Sequence, residues 1–288
     1  MIQARNKLSQ EELSEAKKLI NCCQAYDGTY RDPYLSNMLN FDQNMPAFFL
    51  YYEKGELVGL LTVYADDQDV EVTILVHPNH RRQGIARALF TGFEKETASF
   101  PIRSVTFQTE RIFLDRYPEF VSNWGLVEDE DTETWLGKDR RPYPLANVSN
   151  LEVLLADRSY QDQISQLKFQ AFSEDHESRE VVDRYVAKAL KDPESLLYIL
   201  LKNGQVIGTC TVDLSSNTNY LFGLAIAELE RGKGYGTYLA KTLINQLIEQ
   251  NDKAFQIAVE DSNLGAKRLY EKIGFIKQTQ VVYLKPKE

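Results

Sequence analysis

Two short stretches combine small residues with fixed positive charge in a way that suits a phosphate ester. Arg231-Gly-Lys-Gly-Tyr-Gly236 follows an apolar run and precedes a helical spacing, so its glycines fall where a helix begins. There the first N–H groups lack intrahelical partners and the helix dipole is positive. A diphosphate can accept several of those hydrogens, and glycine lets its oxygens come close to the backbone. Arg231 and Lys233 add charge. In the first half, Arg81-Arg-Gln-Gly-Ile-Ala86 offers Gly84 and Ala86 for the same parts, with Arg81, Arg82 and Arg87 around them. For either loop alone, a turn followed by a solvated helix start accounts for the residues about as well. Neither loop is a Walker loop, because no Gly-x4-Gly-Lys-Ser/Thr surrounds Gly232 or Gly84. A dinucleotide fingerprint is excluded too, since Leu239 stands where its third glycine belongs.

Other chemistry-bearing residues are sparse. His77-Pro-Asn-His80 places two histidines in a turn without a third ligand, so the expectation is no metal. His176 lies in the acidic stretch Ser173-Glu-Asp-His-Glu177, read as a loop over a cleft or a helix linker. Glu228 and Glu230 are acidic candidates beside the second loop, where a solvated role is the commoner one. No Gly-x-Ser-x-Gly elbow or Cys/His arrangement supports covalent hydrolysis. The aromatic stretch Tyr26 to Tyr34 either lines an acceptor pocket or packs in a core.

The loops need elements to position them, and the spacing supplies these twice. Glu11 to Tyr26 has helical periodicity, with Leu13, Ala16, Leu19, Ile20 and Cys23 on one face and Ser9 as N-cap. Ala47 to Glu53 and Glu56 to Tyr64 read as strands around a Lys54-Gly55 turn. Val70 to Val76 is a third strand, Gly84 to Ala98 a helix, and a strand follows near Val105. The second half repeats the plan. A helix follows Asp157, then come a hairpin Leu196–Val212, a strand Tyr220–Ile226, a helix Gly234–Gln250, a strand Phe255–Val259, a helix Ser262–Ile273 and a final strand pair. The fold class is α/β (α+β), a mixed, mostly antiparallel sheet flanked by helices in each half.

Local matches fix the duplication. Lys54-Gly-Glu-Leu-Val-Gly59 recurs as Asn203-Gly-Gln-Val-Ile-Gly208, an offset of 149; Arg81-Arg-Gln-Gly-Ile-Ala86 recurs as Arg231-Gly-Lys-Gly-Tyr-Gly236, an offset of 150. Asn123-Trp-Gly-Leu126 recurs as Lys272-Ile-Gly-Phe275, again at 149. Such spacing means duplicated domains, because solenoid repeats run about 20–50 residues. The 288 residues therefore divide into 1–140 and 151–288, with a linker over 141–150 after the Pro- and charge-rich stretch Gly137–Pro144. With 33 basic against 42 acidic residues, the net charge of −9 argues against a general nucleic-acid binder. No apolar run approaches a membrane span, and Cys22, Cys23 and Cys210 form no disulfide or zinc framework. Without the apolar core of a secretory signal at its start, the chain reads as cytoplasmic, with no membrane partner.

Arg-x-x-Gly-x-Gly/Ala after an apolar strand resembles the acetyl-CoA signature of the GNAT superfamily of N-acetyltransferases. The second half adds Val259-Glu-Asp-Ser-Asn-Leu-Gly-Ala-Lys-Arg-Leu-Tyr-Glu-Lys-Ile-Gly-Phe275, similar to the family's next motif through Asn263, Ala266, Leu269, Tyr270, Gly274 and Phe275. The resemblance covers nearly the whole chain as two tandem domains. It implies a fourth strand splayed from the fifth, with the pantetheine of acetyl-CoA, or another short acyl-CoA, pairing along Leu224, Ala225 and Ile226 and along Leu75, Val76 and His77. The pyrophosphate would rest on Gly232, Lys233, Gly234, Tyr235, Gly236 and Thr237, and in the first half on Arg82, Gln83, Gly84, Ile85, Ala86 and Arg87.

Direct acyl transfer needs a neutral amine, an oxyanion donor and protonation of the leaving thiolate. By resemblance, Tyr270 matches the general acid, a reading preferred to that of a core aromatic beside Leu269. Asn263 is a helix cap or a cofactor contact. The first half departs here: Val121 occupies the Tyr270 position and Ile112–Leu114 replace the Asn263 region. It keeps Glu71, where some family members carry a general base, although an outward strand residue explains it as well. The expectation is an N-acetyltransferase acting on a primary amine of a small molecule or peptide, with the C-terminal half the catalyst, as a monomer or homodimer. Two rivals are an acyl-CoA-binding sensor or scaffold without turnover and an aminoacyl-tRNA-dependent peptidyltransferase. The acidic charge and the two phosphate loops oppose the last.

Overall fold

The computed structural model describes residues 2–145, 148–172 and 178–287. The stretch 173–177, with His176, lies outside the described residues. The chain forms two compact units, Met1–Trp135 with Gln278–Glu288, and Leu136–Lys277.

In the first unit, β1 (Ile2–Arg5), β2 (Phe48–Glu53), β3 (Glu56–Tyr64), β4 (Asp69–Val76), β5 (Ser104–Glu110) and β6 (Leu126–Lys138, the first unit ending at Trp135) share a sheet with the chain's last strand. Helices α1 (Gln10–Asp27), α2 (Ile85–Thr97), α3 (Arg111–Arg116) and α4 (Glu119–Trp124) complete it. The start of α1 is set by a capping box: Ser9 Oγ accepts from Glu12 N at 3.1 Å, while Ser9 N donates to the Glu12 carboxylate at 2.8 Å. Ala16, Leu19, Ile20 and Cys23 recur at helical spacing and are buried, the face expected from the sequence. Phe48, Phe49 and Leu50 are all buried, so β2 is covered on both faces. Each such fully buried side chain contributes roughly 1.5–3 kcal/mol. The β2–β3 hairpin turns at Lys54 (φ 51°) and Gly55 (φ 87°), a two-residue turn that needs positive φ at both positions.

The second unit repeats this with β7 (Leu151–Leu155), α5 (Gln161–Ala171), α6 (Arg179–Ala189), β8 (Ser195–Lys202), β9 (Gln205–Asp213), β10 (Asn219–Ile226), α7 (Tyr235–Gln250), β11 (Phe255–Glu260) and α8 (Leu264–Lys272). Its strand order is β7-β8-β9-β10-β11.

Both units contain the same fork. Parallel pairing of β4 with β5 ends at Val72↔Phe107, although β4 continues to Val76 and β5 to Glu110. Pairing of β10 with β11 ends at Leu221↔Ile257. The expected splay is therefore present twice. The forks differ in detail: β3–β4 pairing is continuous from Gly59↔Val76 to Tyr64↔Glu71, whereas β9–β10 slips register between Phe222 and Ala225 around Gly223 (φ 58°).

Two expectations are corrected. Instead of a final strand pair there is one strand, β12 (Ile276–Pro286), and its residues from 278 onward belong to the first unit rather than to a domain 151–288. Val281 to Leu284 pair with Glu110 to Phe107 of β5, and Val282 and Leu284, both fully buried, join the first core. The strand order there is β1-β2-β3-β4-β5-β12-β6. The stretch Gly137–Pro144 is no free linker either. Gly137 and Lys138 end β6, Arg140 donates to the Ile248 and Asn251 carbonyls at 2.8 and 2.9 Å, and Tyr143 exchanges backbone hydrogen bonds with the Asn245 side chain at 2.8 and 2.9 Å. Its charges and its tyrosine strap it to α7.

Candidate active site

The two loops fold as their glycines require. In the first unit Arg82 (φ 62°) and Gly84 (φ 81°) turn the backbone into α2, and the first helical bond runs from Ala88 N to Gly84 O at 2.9 Å. In the second unit Gly232 (φ 75°) and Gly234 (φ 85°) do the same before α7, whose first bond is Tyr238 N to Gly234 O at 3.0 Å. The N–H groups ahead of those bonds have no helical partner, and a Cβ built at Gly84, Gly232 or Gly234 meets nothing within 4 Å. Open donors in open space fit a diphosphate.

The loop charges are distributed differently from the sequence expectation. Arg81 does not point at the loop's anion site. Its guanidinium grips the buried Asp27 carboxylate bidentately at 2.7 and 2.5 Å, donates to Val76 O at 3.0 Å and lies over the Tyr26 ring. Burial alone would lower its pKa; the Asp27 hydrogen bonds and charge more than reverse this. Arg82 pairs with Glu119, holding that carboxyl below its usual range, and Arg87 donates to Asn123 O at 2.8 Å over the Trp124 ring. Arg231 donates to Ile226 O at 3.0 Å, and Lys233 reaches Leu229 O and Glu230. Glu230 also binds Lys202 at 3.0 Å, and the two lysines lower its pKa. His77 Nδ1 accepts from Asn79 N at 3.3 Å, and His80 Nδ1 contacts Glu53 at 2.9 Å.

A cavity of about 470 Å³ opens in the first unit, where β4 parts from β5. Leu75, Val76, Arg82, Gly84, Ile85, Ala86 and Arg87 line the end by α2; Arg31, Thr73, Gln108, Thr109 and Glu110 line the fork, and Phe113, Tyr117 and Trp124 its flank. At the fork the side chains form a chain of contacts. Arg31 donates through Nη1 to Thr73 Oγ1 on β4 at 2.8 Å and through Nη2 to Gln108 Oε1 on β5. Gln108 Nε2 in turn donates to Glu71. Desolvation pushes the Glu71 carboxyl up to about 7; Arg31 opposes this and Glu133, Asp66 and Asp67 reinforce it. Glu110 accepts from the backbone N–H groups of Tyr30 and Arg31 at 2.9 and 3.0 Å, which fixes the segment that carries Arg31.

Leu75, Val76, Arg82 and Gly84 to Arg87 thus lie around one cavity, while Glu71, still within the paired part of the ladder opposite Thr106, meets its edge through Gln108. The sequence reading missed Arg31, Thr73, Gln108 and Glu110, and did not single out Tyr117, which lines the cavity. Tyr117 OH lies 3.4 Å from Arg81 Nη1. The aromatic stretch Tyr26–Tyr34 held a signal for Arg31, while Tyr26 and Tyr30 themselves are about half exposed.

In the second unit Leu224, Ala225 and Ile226 follow the fork, and Gly236 is buried with Leu269 and Leu224 beside it. Thr237 lies in the first turn of α7, after Tyr235 and Gly236. Asn263 is a cap: its Oδ1 accepts from Ala266 N at 3.0 Å. Tyr270 is only 6% exposed, belongs to the second core and meets Phe275 edge-on, and burial raises its pKa.

The forked sheet and glycine-turned loops agree with the comparisons. The sequence model of the Acetyltransferase (GNAT) family matches residues 13–112 and 161–275, so the chain belongs to that family and carries two of its domains in tandem. It is 26% identical over 230 residues to a mycothiol acetyltransferase of Clavibacter sepedonicus, covering 76% of this chain and 73% of that protein. A GCN5-related N-acetyltransferase from Sphaerobacter thermophilus shares the fold with a TM-score of 0.71 at 17% identity, over 99% of this chain and 94% of that one. A tandem GNAT protein from the clavulanic acid biosynthesis pathway does so with a TM-score of 0.68 at 16% identity, over 99% and 97%. Among the described residues no helix is long and apolar enough to cross a membrane.

Proposed function

We propose that the protein transfers a short acyl group, acetyl in the first instance, from acyl-CoA to a primary amine of a small molecule or peptide by direct transfer, in the cleft of the first unit. The observation that carries this is Glu71: a carboxyl raised to about 7, one step below a fork whose other end meets the α2 loop. A lysine-like amine of pKa ~10.4 costs about 4–5 kcal/mol to present neutral at pH 7, so a base matched to that pH is what the reaction lacks in water. Acyl-CoA, when bound, supplies the activated thioester. The open N–H groups of the α2 turn hold the diphosphate, the β4 edge beyond the fork aligns the arm, and Glu71 takes the ammonium proton; the neutral nitrogen attacks the thioester carbonyl, the C–S bond breaks, and the departing CoA thiolate is protonated from solvent.

The motifs alone favour the second unit as catalyst; the side-chain arrangement favours the first, and the proposal follows the side chains. The burial of Tyr270 favours the other reading for the second unit, acyl-CoA binding without turnover. A soluble cytoplasmic enzyme, monomeric or dimeric, without a nucleic-acid partner, is the setting proposed, and the net charge of −9 supports a cationic acceptor. Thiol release from acetyl-CoA across a panel of amines, with calorimetric counting of acetyl-CoA sites, tests this. Amine-dependent release is expected; binding without release for any amine would leave a sensor or scaffold.

A further inference from the structure

We infer that the first-unit cleft selects a reactant carrying a carboxylate, read by the Arg31 guanidinium. The inference rests on the acyl-transfer reading above and adds the chemical class of one reactant.

Arg31 reaches both arms of the fork, through Thr73 on β4 and Gln108 on β5, at the position where their pairing stops. It lines the cavity, and the Trp135 ring covers one of its faces with 5.5 Å to the centroid. Both hydrogen-bond acceptors are neutral. Among the described residues no carboxylate lies within 4.0 Å of its side-chain nitrogens, and its buried Nε has no partner. Other partly buried arginines of the same unit are matched: Arg5 faces Glu12 at 2.8 Å, Arg81 faces Asp27 at 2.5 Å and Arg111 faces Glu128 at 2.6 Å. The Glu71 and Glu110 carboxylates act on it electrostatically without touching it; a partly buried guanidinium with no carboxylate in contact, facing a cavity, is complementary to an anion delivered by a ligand. Glu71 does not fill that role directly, because the Gln108 amide stands between them, accepting from Arg31 and donating to Glu71. A planar, bidentate donor suits a carboxylate better than a point charge does.

The carboxylate can belong to the acyl group or to the acceptor, and paired reactants separate the two. The first pair is succinyl-CoA against butyryl-CoA with one amine. The second is an amino acid against its own amide with acetyl-CoA, rates being compared per neutral amine. The full-length chain is expected to prefer the carboxylate member of one pair by roughly 10- to 100-fold in kcat/KM, the worth of one charge-assisted contact. Arg31→Gln should bring that ratio to within about twofold, and Arg31→Lys should keep part of it, the worth of a charge without the fork. Because the ratio is read within each folded variant, a general loss of activity does not imitate the result. Ratios near one in both pairs, or a preference that survives Arg31→Gln, overturn the inference while leaving acyl transfer standing. Calorimetry with succinyl-CoA and butyryl-CoA covers the other case: if neither binds and no amine is acylated, the acyl-transfer reading falls and this inference with it.

Discussion

Replacing Glu71 with glutamine tests the base assignment through two independent readouts. The carboxyl is raised from 4.5 to about 7 by desolvation, so half of it is ionised near neutrality. If it accepts the acceptor's proton, log(kcat/KM) for the unmodified protein climbs with pH and bends near 7. The variant has to take the amine already neutral, so its log(kcat/KM) should keep rising with unit slope through pH 7 toward the amine's own pKa, without the bend. At pH 7.5 the rate should fall by about 10²–10⁴, the usual worth of a positioned base. The introduced carboxamide oxygen can still accept from Gln108 Nε2, so the fork need not collapse. Stability moves the other way. A carboxyl whose folded pKa lies above its unfolded value holds more protons folded than unfolded between 4.5 and 7, so it costs stability progressively as pH rises through that window. At about 1.4 kcal/mol per pH unit the cost reaches roughly 3 kcal/mol above pH 7. The variant should therefore be the more stable protein at pH 8 and match the unmodified one at pH 4, read by urea melts at both pH values. A bend near pH 7 that survives the substitution in stopped-time thiol release, or a variant less stable at pH 8, refutes the reasoning.

Tyr270→Phe separates the two units: turnover should be retained, and a fall in kcat with unchanged acetyl-CoA affinity would move the chemistry to the second unit. Arg81→Met leaves the Asp27 side chain, 4% exposed, without its partner and should cost about 3–5 kcal/mol in urea unfolding. Adding Asp27→Leu should recover most of that, and a single variant as stable as the parent would show the pair to be dispensable. Gly84→Val and Gly234→Val force positive φ on a β-branched residue, a local strain of roughly 1–2 kcal/mol, in places with no steric neighbour. Each should remove one acetyl-CoA site by calorimetry with only a modest loss of thermal stability, and full stoichiometry in both would refute the loop assignment.

What the sequence disclosed and what it hid divide along a physical line. Lys54-Gly55 and Asn203-Gly204 announce their hairpins because positive φ at successive residues restricts which side chains fit, and the face of α1 is written in its own period. Gly84 was legible for the same local reason, whereas Glu71 was singled out only through the family resemblance. Arg31, Gln108 and the Asp27 partner of Arg81 were not, because each contact joins residues 54 to 77 positions apart and depends on how strands are paired. The pattern Val282-x-Leu284 announces a buried strand yet says nothing of which sheet receives it; β5 of the first unit does. Tyr270 shows the converse limit. Its spacing from Gly274 reproduces a catalytic motif, but spacing does not report burial, and the side chain is packed against Phe275. The duplication therefore preserved what local sequence dictates, the glycine turn and the forked strands, in both units. The chemistry within each fork is set by long-range neighbours, and there the copies have parted: a raised carboxyl and an unmatched guanidinium in one, a buried tyrosine in the other. Catalytic competence in this chain thus has to be assigned fork by fork, from the side chains that meet at each vertex.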